Sequence, residues 1–412
     1  MFERHENSEN ASTAMNEAPA SPSAPTKRRR VKYIDLLRGW AVIVMIETHV
    51  SNATLTPAIL ASDLFGFVKF INGLVAPSFL FASGLAYAVT TRRKLPDYLA
   101  FGRPLFKQFG RLLFVLVIGY ILHLPKFSLD RLVHETTERE WQIFFQADVL
   151  HCIAVSLLFM QALLLILKTE RRLYSTLVGI SLVVVFLTPV MWGVDFWNIL
   201  PWPVAAYMNG LHFSLFPLFP WSAFLFAGAI TGYFYQNAKE EKLEEGSAQK
   251  EEVMMRSLLW VAGSALLLSF AIEPFAAAAY PTYDYWLFSP SFYFLRLGLV
   301  MGLCAGMFFF EHHRGVSPAS VITLIGRESL FVYTAHLLLI YGNFAKFNFR
   351  NEVNHTFGIA EAGITAAVLM VLMYLSARVW SGIKRGPPRL KLAVNISALV
   401  LFLSVFLFGP GE

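Results

Sequence analysis

Apolar stretches recur along the whole chain, separated by short polar segments. A run of about 18–25 such residues is what a helix needs to cross the hydrocarbon of a bilayer. That spacing predicts about 11 membrane-spanning helices, at roughly 33–52, 73–91, 111–124, 148–167, 173–192, 216–236, 257–279, 293–311, 320–344, 359–380 and 391–408. The expected fold class is all-α, a polytopic integral membrane helix bundle. Residues 1–26 are rich in Ser, Ala, Glu, Asn and Pro and have little to bury, so with the basic anchor that follows they are expected to form a disordered cytoplasmic tail over 1–30. The expected organisation is that tail, one membrane domain over 31–385, and an additional C-terminal transmembrane helix over 386–412.

Composition agrees. The chain has 412 residues, 56% hydrophobic and only 15% charged, where a soluble protein averages about 25% charged residues. The formal charge of +6 is no sign of a nucleic-acid partner, because the basic residues sit in short loops between spans. Lys27-Arg28-Arg29-Arg30 abuts the first span and should hold the N-terminus in the cytoplasm. With that orientation about 26 of the 34 Lys and Arg fall on the inner side and about 6 outside, the bias that sets topology. The expected location is a bacterial-type inner membrane, with the C-terminus outside. Cys152 and Cys304 lie in different apolar segments and read as small buried residues. No metal-ligand spacing, glycine-rich phosphate loop or nucleophile elbow is present, and no metal is expected.

The first span is unlike the others. It carries Asp35, Arg38 and His49 on one stripe of a mostly apolar run. At about 100° per residue, Arg38 lies about 60° from Asp35, and His49 about 20° from Arg38. The three share one stripe about 21 Å long at the usual helical rise. Ionisable groups in hydrocarbon cost at least about 2.5–3.5 kcal/mol each. Such a stripe therefore either pairs Asp35 with Arg38 near the interface and leaves His49 idle, or lines a polar route across the membrane.

Four further clusters can carry chemistry. Arg103, Lys107 and Arg111, at four-residue spacing, present three cations on one helical face. They anchor topology or bind a phosphorylated cofactor. Asp148 and His151 open the fourth span, with Asp148 a candidate N-cap. In the stretch Gly326 to His336, Ser329, Tyr333 and His336 share a face, and Arg327 and Glu328 are placed to pair. Arg296 lies near the outer end of its span, as a partner for a substrate anion or simply snorkelling. The loop over 193–220 and the residues flanking it add four tryptophans, Trp192, Trp197, Trp202 and Trp221, with Asn209 and His212, and suit either an aromatic belt or a surface that stacks on sugars. Ser83-Gly84 and Gly228 with Gly232 suit close helix packing. What remains as a reactive set is histidine acid/base chemistry. Neutral imidazole accepts a proton near pH 7, and this suits acyl transfer from an activated thioester.

The pattern Arg30-x4-Asp35-x2-Arg38-x10-His49 resembles the opening motif of the transmembrane acyltransferase superfamily. The Asp-Leu-Leu-Arg-Gly wording is closer to bacterial relatives of heparan-α-glucosaminide N-acetyltransferase. Phe79 to Gly84, Phe219-Pro220-Trp221 running to Gly228 and Gly232, Asp148 to His151, and Gly326 to His336 fit the same branch, so the resemblance spans roughly 30–385. It implies a membrane acyltransferase domain that uses acetyl-CoA or another acyl-CoA from the cytoplasm as donor and a glycan or glycolipid beyond the bilayer as acceptor. It implies His49 as the catalytic histidine, with His336 or His151 close by. Asp35, Arg38, Arg103, Lys107, Arg111 and Arg327 are then candidates for the donor, and Asp148, Arg296 and His212 for the acceptor. The loop from Val50 to Ile71 contains no histidine, so the role falls on His49 as in the histidine-bearing members. A homodimer is compatible with this reading. A multi-span transporter of a glycolipid or small metabolite is the alternative that a polar stripe also fits, although transporters often show internal repeats and none is evident here.

Overall fold

The computed structural model describes residues 31–240, 248–317, 320–342 and 348–408. The expected tail over 1–30 and its basic anchor lie outside the described residues. Thirteen helices organise the membrane bundle. They are α1 (Lys32–Thr54), α2 (Asp63–Asn72), α3 (Val75–Leu99), α4 (Arg103–Leu122), α5 (Val149–Leu167), α6 (Glu170–Trp192) and α7 (Leu218–Glu240), then α8 (Ala248–Ala279), α9 (Pro290–Arg314), α10 (Val321–Arg327), α11 (Ser329–Tyr341), α12 (Ile359–Arg385) and α13 (Pro388–Phe408). Among the described residues there is no β-strand, only an isolated bridge between Leu55 and Phe357.

Eight described helical segments are long and apolar enough to cross a membrane, or nine if the bent pair α10–α11 is one span. Helices α1 and α7, 23 residues each, have the length but less apolar sequences. Both lie inside the bundle, where neighbouring helices rather than lipid are their solvent. With these two, the helices correspond one to one with the segments expected from hydrophobic periodicity.

α1 is the central element. Leu37, Ala41, Val42, Ile46 and Val50 are fully buried, and the helix packs against α3, α9, α10, α11 and α12. α13 stands off the bundle, with no buried residue along its length. Cys152 and Cys304 are both free and buried.

The chain differs from the expected continuous span over 320–344. α10 and α11 meet at an 86° bend. Gly326 explains why α10 leaves the line of α11. A side chain there would stand 1.8 Å from the Asp35 carbonyl oxygen, and one at Gly39 would stand 2.1 Å from that of Ile322. α10 therefore lies on α1 backbone to backbone, and the chain turns at Glu328 to continue. The buried Glu328 carboxylate is held there by Lys384 of α12 at 2.6 Å and by Arg327 at 3.3 Å.

α3 and α7 make the same kind of contact. A Cβ on Gly84 would fall 1.9 Å from the Leu225 carbonyl oxygen, and one on Gly228 1.9 Å from that of Phe81. Small residues let helix backbones approach where lipid supplies no hydrophobic drive to association. Arg92 then ties the ends of three helices together, bonding Glu170 at the start of α6 at 2.6 Å and pairing with Glu240 at the end of α7.

Candidate active site

α1 and α11 bring two distant histidines together. The rings of His49 and His336 lie 5.3 Å apart between centroids. Tyr341, at the end of α11, packs edge-on against His49 at 5.6 Å. Its hydroxyl donates to the His49 carbonyl oxygen at 3.2 Å and meets His49 Nδ1 at 3.3 Å. A phenol has one proton. With that proton on the carbonyl, the hydroxyl offers Nδ1 only lone pairs, so Nδ1 carries hydrogen and Nε2 is the open basic nitrogen. His336 is fixed the same way. Its Nδ1 lies 2.8 Å from the Val332 carbonyl oxygen, which can only accept. Its Nε2 is buried without a hydrogen-bond partner. Both imidazoles therefore present a bare Nε2.

His151 is held in the opposite form. The backbone N–H of Asp148 donates to His151 Nδ1 at 3.2 Å, which leaves the proton on Nε2, buried and without a partner. Its ring contacts are Tyr120 at 4.3 Å, His123 at 5.8 Å and Tyr207 at 6.3 Å, and it lies flat on Gly119, where a Cβ would meet it at 2.8 Å. Of the two histidines expected near His49, the structure brings in His336 and sets His151 in a separate aromatic cluster.

Asp148 joins the two groups. It caps α5, accepting from the Val149 N–H at 2.6 Å, so the N-cap expectation holds. The same carboxylate accepts from the Tyr333 hydroxyl at 2.5 Å, and Tyr333 packs edge-on at 5.9 Å from His336.

Tyr333 forms one wall of a cavity of about 350 Å³ that Arg38, Gln108, Arg111 and Arg327 also line. Arg38 comes from α1, where its Nη2 reaches the Ala82 carbonyl oxygen at 3.4 Å. Arg327 is steadied by Ser381 at 2.8 Å as well as by Glu328. Arg111, exposed like its neighbours Arg103 and Lys107 on α4, lines the cavity, whereas those two are not part of the lining. Asp35 is buried in the first turn of α1. Three guanidinium groups line this one cavity, and planar paired donors of this kind bind phosphate oxygens well.

Two residues expected on the acceptor side lie elsewhere. His212 bonds Asp195 at 2.9 Å and stacks near Trp197 at 4.7 Å in the loop between α6 and α7. Arg296 lines a second cavity of about 240 Å³ with no lining residue in common with the first. Tyr341 and the Tyr120–Tyr207 pair were not singled out from sequence. A lone tyrosine in an apolar run carries no spacing signal, and only the fold brings Tyr341 to His49.

A search among curated proteins returns no match to this chain. A family model does match, described as heparan-α-glucosaminide N-acetyltransferase, catalytic, over residues 30–274. The matched region includes Arg38, His49, Arg111, Asp148 and His151, and stops short of Arg327, Tyr333, His336 and Tyr341. It covers more than half of the chain, and the chain belongs to the heparan-α-glucosaminide N-acetyltransferase catalytic family.

Proposed function

We propose that this membrane protein takes an acetyl or other small acyl group from cytoplasmic acyl-CoA and passes it to a hydroxyl or amine of a glycan or glycolipid on the far side of the bilayer. One observation carries the reading: a histidine pair with both Nε2 atoms open lies one side chain beyond a cavity lined by three arginines. From Arg38 to His49 the axis of α1 advances about 16 Å. That separation suits a donor with phosphates at one end and its thioester at the end of a long arm.

In this reading Arg38, Arg111 and Arg327 hold the donor's phosphates, with Asp35 positioning Arg38. His49 Nε2 takes the proton of the acceptor's O–H or N–H as that atom attacks the thioester carbonyl carbon. The C–S bond breaks, and the CoA thiolate leaves with the proton that the imidazolium returns. Asp148 and Tyr333 steady the charge. His336 shares the proton or receives the acyl group in a two-step variant. The N-terminus then lies in the cytoplasm and the membrane domain ends near 385, with α13 an addition to it. Family membership favours this over transport.

The test uses the purified full-length chain with labelled acetyl-CoA and a panel of amino sugars and sugar alcohols, following acceptor-dependent release of the CoA thiol. The wild type should turn over. His49→Ala should lose at least about 100-fold in rate while acetyl-CoA still raises its melting temperature. A folded His49→Ala protein with the normal rate would remove the assignment.

A further inference from the structure

The second cavity is built for a negative headgroup. Arg296 sits two turns into α9, about 9 Å from its start. Its guanidinium lies 3.8 Å over the Phe292 ring and 5.5 Å from that of Trp221. Its Nη2 makes one long contact, 3.5 Å, to the Trp286 carbonyl oxygen. Its Nε is buried without a hydrogen-bond partner. Among the described residues it has no carboxylate partner. A buried donor of this kind costs free energy unless something accepts from it.

Lys69 of α2 lines the same cavity. It donates to the Leu60 carbonyl oxygen at 2.9 Å and lies over Phe65 at 5.3 Å. Phe65 is buried against Leu55 and Ala362, so the helix that carries Lys69 is seated rather than loose. Two cations thus face one space with no acid between them.

The room comes from glycine. Gly66 and Phe70 share one stripe of α2, at a spacing of four, and Gly73, its C-cap, follows three residues on. A Cβ at Gly66 would meet nothing within 4 Å, and one at Gly73 would come within 3.6 Å of Arg296 Nη2. The rest of the lining is apolar: Phe70 on α2 with Phe292 and Trp286 opposite, and Trp286 is exposed at the rim. Cations in a pocket whose other walls are apolar match an amphiphile with an anionic head and a hydrocarbon tail.

We infer that this cavity binds the phosphate of a lipid, with Arg296 and Lys69 on the phosphate oxygens and the tail leaving over Phe70 and Trp286. The site is independent of the acyl-transfer reading and stands whether or not that reading does. The shared chemistry with soluble phosphate is the anion, and the apolar rim selects the lipid.

The test is native mass spectrometry of the full-length protein in uncharged maltoside micelles. The probes are hexadecyl phosphate, hexadecanol and inorganic phosphate. The wild type should retain one hexadecyl phosphate. Arg296→Met should weaken that binding at least tenfold, and Arg296→Lys should keep most of it. Gly66→Leu places its side chain into open space, so it should fold with an unchanged melting temperature and still weaken binding at least tenfold by filling the cavity. Equal retention by wild type, Arg296→Met and Gly66→Leu would overturn the site. Equal retention of hexadecanol and hexadecyl phosphate would overturn the role of charge. Inorganic phosphate binding as tightly as the alkyl phosphate would overturn the lipid assignment.

Discussion

The Tyr341 hydroxyl touches His49 at two atoms, donating to its carbonyl oxygen at 3.2 Å and accepting from its Nδ1 at 3.3 Å. One side chain thereby fixes both the tautomer and the tilt of the imidazole. Tyr341→Phe removes both bonds and leaves the ring packing in place. The expected result is a loss of about tenfold in kcat, small beside the loss of about 100-fold or more for His49→Ala, since the base remains and only its orientation relaxes. The donor KM should stay within about twofold. Steady-state kinetics on the two variants checks the ordering, and a Tyr341→Phe enzyme as inactive as His49→Ala would make the phenol itself a reacting group.

Tyr333 stands between the arginine-lined cavity and Asp148. Its hydrogen bond to the carboxylate is short, 2.5 Å, and buried groups of this kind act as a unit. Tyr333→Phe and Asp148→Asn should each slow turnover by about 10- to 100-fold. The double variant should be little worse than the more damaged single, a coupling of about 1–3 kcal/mol in a double-mutant cycle. Additive losses would mean that the two residues serve separate functions.

Periodicity alone makes much of this arrangement legible. The stripe of Asp35, Arg38 and His49 follows from helical geometry, and so does the burial of α1, because a helix with several ionisable groups is too polar for lipid. Asp148 as N-cap and the glycines as points of backbone contact rest on local rules that hold here. The contacts that complete the site are of another kind. Tyr341 is 292 positions from His49, and no local pattern ties them. The bend between α10 and α11 arises from Gly326 meeting α1, a tertiary contact that overrides an unbroken apolar run. The face of Arg103, Lys107 and Arg111 reads as a unit at four-residue spacing, yet α4 turns only Arg111 into the cavity.

That last difference separates donor binding from anchoring. Arg38→Met, Arg111→Met and Arg327→Met each remove one cation from the cavity wall. A charge-assisted hydrogen bond contributes about 1.5–3 kcal/mol, so each should raise the donor KM about tenfold or more. Arg327→Met carries an added cost, since it also releases Ser381 and leaves Glu328 with Lys384. Arg103→Ala and Lys107→Ala should leave KM within about twofold, because neither side chain lines the cavity. Equal effects along the whole face would place the phosphates on the surface of α4 instead of in the cavity.

The stability of the bundle is most exposed where α3 and α7 touch. At Gly84 and Gly228 the atoms that a new Cβ would strike are carbonyl oxygens of the facing helix, 1.9 Å away in both cases. Backbone cannot rotate aside as a side chain does, so the helices must part. Overpacking a core typically costs about 1–3 kcal/mol, occasionally more, and a backbone clash belongs at or above the top of that range. Separation would also pull apart Arg92 and its partners Glu170 and Glu240. Gly228→Val should therefore lose most of its monodisperse peak on size exclusion and unfold at lower detergent denaturant than wild type. Gly263→Ala on α8 is the control: a Cβ there meets nothing within 4 Å, and alanine is the better helix former by about 1 kcal/mol. It should unfold no earlier than wild type, and a Gly228→Val protein that matched it would show that the α3–α7 contact is looser than a shared backbone surface requires.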